Sequence, residues 1–300
     1  WWSTGSSRKP ISRFHFRILS FLSILACDGI VMFKTELLSI IRNLGLSKLA
    51  DKSRYYLMRF KNRKANHLFK QAHPGITLPP PYMVYESFQI DYNKYYLGGL
   101  EDAAWIVSLF KLHHQLENIK ILDWGCGPAR IIRHMPALLG NTNEYFGTDY
   151  NGHTIAWCSS EIKGISFSTN QLNPPLPYPE NQFDLIYGIS ILTHLSEENQ
   201  TAWSKELYRV AAANGIVMLT THGDAFLEKL TVSEVEAYQA QKPILRDKTK
   251  EGHRTFGTFH PPAFIRSVFM AAGFFIVEHI PGKRVHATYI SQDVWILLKK

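Results

Sequence analysis

"ILDWGCGPAR", residues 121–130, joins a short apolar run to an acid and then to two glycines one residue apart. This order predicts a buried strand, a tight turn and the start of a helix. Because glycine has no side chain, a ligand can approach the backbone N–H groups of such a turn closely. The segment therefore predicts a ligand-binding turn at the carboxyl end of a strand.

The residues around this turn separate two classes of ligand. A dinucleotide fingerprint has a third glycine where this chain has Arg130. Asp123, at the end of the strand, would repel a pyrophosphate but would attract a cationic amino group. A second acid, Asp149, follows the next strand and can accept hydrogen bonds from a ribose diol. A ribose and an ammonium group without phosphate describe S-adenosylmethionine better than a nicotinamide dinucleotide.

Helical and strand patterns alternate from residue 100 onward, which predicts a mostly parallel sheet covered by helices on both faces. Ligands bind beyond the carboxyl ends of the strands in such sheets. Helices are predicted over 100–116, 128–139, 151–162, 196–212 and 261–273. Strands are predicted over 119–125, 144–149, 164–168, 181–190, 215–221, 274–280 and 293–298.

Five motifs in this order carry a resemblance to a known family: ILDWGCGPAR, YFGTDYN, PPLPYPENQFDLIYGISILTHL, ELYRVAAANGIVMLTTHG and QDVWILL. Together they resemble the class I S-adenosylmethionine-dependent methyltransferases, specifically the bacterial type 11, 12 and 25 domains. The resemblance spans roughly residues 82–300. It implies an α/β, Rossmann-like sheet of seven strands, mostly parallel with an antiparallel last strand, and S-adenosyl-L-methionine as the cofactor.

The resemblance also implies which residues contact the cofactor. Two acids and two glycines are expected at the methionine end and the ribose, and an amide is expected at the adenine amino group. Cys126 is expected to be a small residue of the turn rather than a nucleophile. The full set of expected contacts is Asp123, Gly125, Cys126, Gly127, Asp149, Tyr150, Asn170, Ile189 and Ser190.

Two histidines follow strand ends, where an acceptor would lie. His194 follows the strand over 181–190, and His222 follows the strand over 215–221. Each is a candidate general base toward a hydroxyl group, and each has local packing as its alternative role. An insertion over 223–259 is expected to cover the acceptor. We therefore expect transfer to a small molecule or a glycan, most readily at oxygen, with a non-catalytic adenosyl-binding scaffold or a nicotinamide oxidoreductase as alternatives.

Charge divides the chain unevenly. Residues 1–70 contain fourteen Lys and Arg against three acids, whereas residues 71–300 contain nineteen against twenty-two. A slightly acidic body argues against nucleic acid as a partner. Residues 1–31 are interpreted as a leader or as non-native upstream sequence, 32–72 as a basic helical arm, 73–99 as a linker or cap, and 100–300 as the methyltransferase domain.

The basic N-terminal arm and the cysteines indicate the cellular compartment of the protein. The helical pattern over 34–49 and the basic, aromatic stretch after it suit either a solvated helical lid or contact with an anionic membrane surface. Three cysteines without a C-x-x-C pair give no disulfide framework and no metal site. We therefore expect a cytoplasmic protein, with membrane association through the arm as a further expectation.

Overall fold

The computed structural model describes residues 47–246, 250–253, 256–287 and 289–300. The chain divides into two units, 1–60 and 61–300. Helix α1 (Ser47–Lys61) is the described part of the first unit. The predicted leader over 1–31 and most of the predicted helix over 34–49 lie outside the described residues.

The second unit is built on a seven-stranded sheet. Its strands are β1 (Lys120–Trp124), β2 (Glu144–Asp149), β3 (Ser166–Thr169), β4 (Phe183–Gly188), β5 (Ala211–Thr221), β8 (Phe275–Ile280) and β11 (Asp293–Leu298). They are arranged in the order β3-β2-β1-β4-β5-β11-β8. Strand β11 is antiparallel to both of its neighbours, and the other pairs are parallel. This topology confirms the predicted fold class.

Helices cover both faces of this sheet, and two short hairpins lie outside it. The helices are α2 (Arg63–Ala72), α3 (Tyr85–Phe88), α4 (Tyr92–Phe110), α5 (Met135–Leu139), α6 (Gly152–Glu161), α7 (Glu197–Val210), α8 (Val232–Gln239) and α9 (Pro262–Ala271). One hairpin pairs β6 (Ile244–Arg246) with β7 (Gly257–Phe259), and the other pairs β9 (Arg284–His286) with β10 (Tyr289–Ile290).

The central strands β1 and β4 are mostly apolar because both of their faces are buried. Side chains alternate between the two faces, so Ile121 and Leu185 belong to one core cluster. Leu122 and Ile186 belong to the cluster on the opposite face. The apolar run that opens "ILDWGCGPAR" therefore contributes side chains to both core clusters. It also places the turn after β1 at the carboxyl ends of the parallel strands.

The predicted helix over 128–139 is wrong over its first half. Ala129 has φ +58°, Ile132–His134 form a 3₁₀ turn, and the α-helix begins only at Met135. Pro136 explains the late start, because proline lacks an N–H and its ring clashes with the carbonyl four residues earlier in a helix interior. Proline is tolerated in the first turn, where Pro136 lies.

Two other helix starts are set by capping residues. Helix α4 begins at Tyr92 rather than at residue 100, because the Asp91 carboxylate accepts from the Lys94 N–H at 3.1 Å. Ser196, predicted as the first helical residue of α7, caps that helix and accepts from the Asn199 N–H at 3.3 Å. Among the described helices, none is both long and apolar enough to cross a bilayer.

Candidate active site

Backbone hydrogen bonds join the glycine turn after β1 to the end of β2. The N–H groups of Gly125 and Cys126 both donate to the Thr148 carbonyl, at 2.8 and 2.9 Å. Gly125 has φ +77°, and a Cβ added there would lie 2.1 Å from Ile191 Cδ1. Gly125 is therefore required both by its backbone conformation and by the close approach of Ile191.

Asp149 holds the same turn with its side chain. One carboxylate oxygen accepts from the Gly127 N–H at 3.0 Å, and the other accepts from the Asn151 N–H at 2.8 Å. Burial raises the pKa of Asp149, and these two backbone hydrogen bonds oppose that rise. Each oxygen keeps a second lone pair, so the carboxylate can also accept from two hydroxyl groups of a ribose.

Asp123 lies at the end of β1 and is buried. Burial raises the pKa of Asp123 to about 7, although the neighbouring Tyr187 hydroxyl and the charge of Arg130 favour the ionised form. An ionised carboxylate in such surroundings is costly. A ligand with an ammonium group would offset that cost, because an opposite charge stabilises the ionised form.

An open cleft of about 450 Å³ lies beside the turn, beyond the carboxyl ends of β1, β2 and β4. Three of the residues predicted to contact the cofactor at its nucleoside end line it together with Gly125. The lining residues are Trp124, Gly125, Asp149, Tyr150, Asn170, Gln171, Leu172, Ile191, His194, Leu195, Trp203 and Gly252. Acid, amide and apolar side chains in one cleft suit a nucleoside.

Asn170 is held in a fixed orientation in this cleft. Its carbonyl oxygen accepts from the Thr148 hydroxyl at 2.8 Å, and its amide nitrogen donates to the Gln171 carbonyl at 2.6 Å. The oxygen retains one lone pair and the nitrogen one proton. Asn170 can therefore still accept from an adenine amino group, as the sequence predicts.

Residues 250–253, here called the cap loop, close one side of the cleft. The Gly252 N–H donates to the His194 carbonyl at 2.9 Å, and the Tyr150 hydroxyl donates to the Gly252 carbonyl at 3.1 Å. The Glu251 carboxylate accepts from the Ser196 N–H and the Asn199 amide, at 2.6 and 2.9 Å. The insertion thus reaches the cleft through the cap loop.

His194 lines the cleft with a defined tautomer. Its Nδ1 lies 2.9 Å from the Phe256 carbonyl oxygen. A carbonyl only accepts, so Nδ1 carries the proton in the neutral ring and Nε2 carries the basic lone pair. A histidine in this state can take a proton at Nε2.

His222 has a different environment and is absent from the cleft lining. Its ring lies 4.2 Å from Phe226 and 5.4 Å from Phe259, and its Nδ1 lies 3.2 Å from the Thr258 carbonyl oxygen. Burial lowers the pKa of His222 to about 4. The two predicted histidines therefore do not share one cleft.

The other predicted contacts are absent from the cleft lining: Asp123, Cys126, Gly127, Ile189 and Ser190. Cys126 is a buried free thiol, and burial raises its pKa well above the ordinary value. Ile189 packs against the core, and Ser190 has φ +64° at the end of β4. The sequence interpretation missed Trp124, Ile191 and Trp203 in the lining, although the first two stand in quoted motifs. Among the described residues, no cluster of three or more His, Cys, Asp or Glu could hold a metal.

The sheet order is that of the predicted Rossmann-like fold, and Asp123 and Asp149 lie at the ends of β1 and β2. The comparisons with known proteins agree with the prediction: residues 121–215 match the family described as a methyltransferase domain. Residues 121–215 therefore form a methyltransferase domain, and the predictions of the S-adenosylmethionine-dependent family and of its cofactor are confirmed for that segment.

Two known proteins illustrate the similarity, one by sequence and one by structure. Over 137 residues the chain is 32% identical to a phosphoethanolamine N-methyltransferase of Plasmodium falciparum, an alignment covering 42% of this chain and 46% of that protein. The match thus spans less than half of that relative. An S-adenosylmethionine-dependent methyltransferase structure from Methanosarcina mazei has a TM-score of 0.50 at 17% identity, covering 64% of this chain and 96% of the other. That likeness concerns the fold.

Proposed function

We propose that the chain methylates a hydroxyl group of a small molecule or a glycan, with S-adenosylmethionine as donor and His194 as general base. The observation that carries this proposal is that His194 and Asp149 line one cleft while the Phe256 carbonyl fixes the His194 tautomer. Because the His194 Nδ1 proton faces that carbonyl, the basic lone pair is on Nε2, the atom that takes the acceptor proton.

The reaction balances with these groups. The acceptor oxygen attacks the methyl carbon of the sulfonium, and the electrons of the breaking C–S bond return to sulfur. The products are a methyl ether and the neutral thioether S-adenosylhomocysteine. The acceptor proton passes to His194 Nε2 and from there to water. Most of the rate enhancement comes from alignment of the two reactants in the cleft.

A second candidate activity comes from the sequence relative. The N-methyltransferase relative is named for phosphoethanolamine, so N-methylation of a phosphorylated amine is the second candidate activity.

The first experiment measures cofactor binding. Calorimetric titration with S-adenosylhomocysteine is expected to give micromolar affinity, and NAD and NADP are expected not to bind. Labelled S-adenosylmethionine is then offered with hydroxylated sugars, phenols and phosphoethanolamine in separate reactions. Label on a hydroxylated acceptor supports the proposal, whereas label on phosphoethanolamine alone favours the second candidate. Cofactor binding without transfer to any acceptor class would favour the scaffold.

We also propose that α1 contacts an anionic membrane surface. Tyr56, Leu57 and Phe60 are 55%, 60% and 76% exposed and lie within two turns of this helix. Lys52, Arg54 and Arg59 belong to the same helix, and no acid follows Asp51 up to residue 72. Exposed aromatic residues among basic ones suit peripheral binding to anionic lipids in the cytoplasm.

A further inference from the structure

Ser190, two residues after the end of β4, has a strained backbone conformation. Its φ of +64° lies in the left-handed region, which residues other than glycine occupy at a cost of about 1 kcal/mol or more. The next residue, Ile191, is the one that lies against Gly125, and the 3₁₀ turn Leu192–His194 follows directly. The conformation of Ser190 therefore sets the positions of both Ile191 and His194.

Three hydrogen bonds hold Ser190 in a closed circuit. The Ser190 N–H donates to the Thr220 hydroxyl at 2.8 Å, and that hydroxyl donates to the Gln292 side-chain oxygen at 2.6 Å. The Gln292 amide nitrogen donates back to the Ser190 hydroxyl oxygen. The circuit joins the ends of β4 and β5 to the residue before β11, which is 102 positions away from Ser190.

The circuit runs in one direction. The Thr220 oxygen accepts from the Ser190 N–H and sends its own proton to the Gln292 oxygen, and the Gln292 NH₂ group faces Ser190. The Ser190 oxygen consequently accepts within the circuit, and its own proton remains for a partner outside the circuit. Ser190 is only partly buried and the next residue, Ile191, lines the cleft, so a ligand bound in the cleft can be that partner.

We propose that Gln292 is a positioning residue that clamps the strained Ser190 turn and turns the Ser190 hydroxyl into a hydrogen-bond donor toward the methyl acceptor. A hydroxyl oxygen attacks with one lone pair and keeps a second to receive this bond, whereas a neutral amine uses its single lone pair in the attack. Gln292 thereby selects for oxygen acceptors without touching them. The part of this inference that concerns the acceptor rests on the proposed function. The part that concerns the Gln292 clamp on the Ser190 turn does not.

The clamp is tested on the protein without any substrate. Amide hydrogen exchange over residues 189–194 is expected to become about tenfold faster in Gln292→Ala, because the left-handed turn loses one of its constraints. Ser291→Ala is the matched control: the Ser291 hydroxyl bonds to Lys283 and lies outside the circuit. Unchanged exchange over residues 189–194 in Gln292→Ala would overturn the proposal, whether or not the protein methylates anything.

The direction of the circuit is tested by Gln292→Glu, which keeps the size of the side chain. An ionised carboxylate only accepts, so the Ser190 hydroxyl must turn inward to donate to it. We expect kcat/KM for the acceptor to fall about 30-fold, with S-adenosylhomocysteine affinity and Tm unchanged.

A double variant separates this role from a structural one. Ser190→Ala removes the donated proton directly, and Ser190→Ala combined with Gln292→Glu is expected to be no slower than Ser190→Ala alone. Losses that multiply, or a loss in Gln292→Glu that appears as weaker S-adenosylhomocysteine binding, would overturn the assignment of direction. If the parent protein transfers no methyl group, the proposed function fails, and the exchange measurement still decides the clamp.

Discussion

The two halves of the sheet build their parts of the site in different ways. On the side of β1 and β2, the groups that form the turn are close in sequence: Gly127 bonds to Asp149, 22 positions away. On the side of β4 and β5, His194 is fixed by Phe256, 62 positions away, and Ser190 by Gln292, 102 positions away. The contacts of the first half can be predicted from a sequence motif. The contacts of the second half form only when segments that are distant in sequence pack together.

The half built from local contacts is tested at Gly125. Gly125→Ala places a Cβ 2.1 Å from Ile191 Cδ1 and imposes φ +77° on a residue with a side chain. We expect the affinity for S-adenosylhomocysteine to fall by about 100-fold or more, which corresponds to roughly 3 kcal/mol. Calorimetry measures this loss.

Gly140→Ala is the matched control for that variant. Gly140 has φ +82°, but no heavy atom lies within 4 Å of its added Cβ. It is expected to lose about 1 kcal/mol of stability and to bind the cofactor normally. Equal binding losses in both variants would mean that strain alone, rather than the contact with Ile191, makes Gly125 necessary.

The two histidines test the half built from distant contacts. His194→Gln is expected to lower kcat by about 10²–10⁴-fold, because the base is lost from the cleft. His222→Gln is expected to change kcat less than about threefold but to lower the free energy of unfolding by about 1–3 kcal/mol, since His222 packs between Phe226 and Phe259. Steady-state kinetics and thermal unfolding separate the two, and the reverse assignment of losses would make His222 the base.

The pH dependence of cofactor binding tests Asp123 in β1. Because the folded pKa of Asp123 is about 7, the carboxyl is protonated below pH 7 and must lose that proton to pair with an ammonium group. Affinity for S-adenosylhomocysteine is therefore expected to rise about tenfold per pH unit up to pH 7 and to level off above it. Asp123→Asn should bind more weakly and without this slope. A slope that persists in Asp123→Asn would assign the proton to another group.

The same carboxyl contributes to stability with a defined sign. The folded pKa of Asp123 is raised, so the folded state binds more protons than the unfolded state between about pH 4 and pH 7. The Asp123 contribution to the free energy of unfolding therefore falls as pH rises through that window. Asp123→Asn is expected to flatten this part of the stability profile in denaturant titrations.

The smallest expected effect concerns α1. Replacing Tyr56, Leu57 and Phe60 with serine is expected to lower sedimentation with anionic vesicles about tenfold, and added salt should weaken binding of the parent protein. Serine at Leu112, Val232 and Met270, which are 71%, 80% and 62% exposed, is the control triple. Equal binding of the parent and both triples would exclude an apolar contribution from α1.

Sequence patterns predicted the strands better than the helices. The strands predicted over 119–125, 144–149 and 293–298 agree with the observed bounds within one residue, because strands buried on both faces are rich in apolar residues. The helix over 128–139 failed, because the position of Pro136 outweighed the apolar spacing around it. The capping role of Asp91 was not weighed, so α4 begins eight residues before its predicted start.

Within the site, the residues predicted best are those fixed by the motif itself. Asp149, Tyr150 and Asn170 line the cleft because they follow the ends of β2 and β3 directly. Gly252 and Gln292 carry no local signal, since their partners lie across the fold from them. Long-range hydrogen bonds of this kind depend on tertiary packing, which a single sequence does not reveal.

The position of β11 between β5 and β8 has a consequence for synthesis on the ribosome. Strand β5 lacks one of its two neighbours, and β8 lacks its only one, until residues 293–298 have been translated. At roughly 5–20 residues per second, the apolar edge of β5 stays open for several seconds while residues 222–292 are made. An uncovered strand edge invites pairing with another chain. Chaperones that bind nascent chains are therefore expected to matter most during that interval.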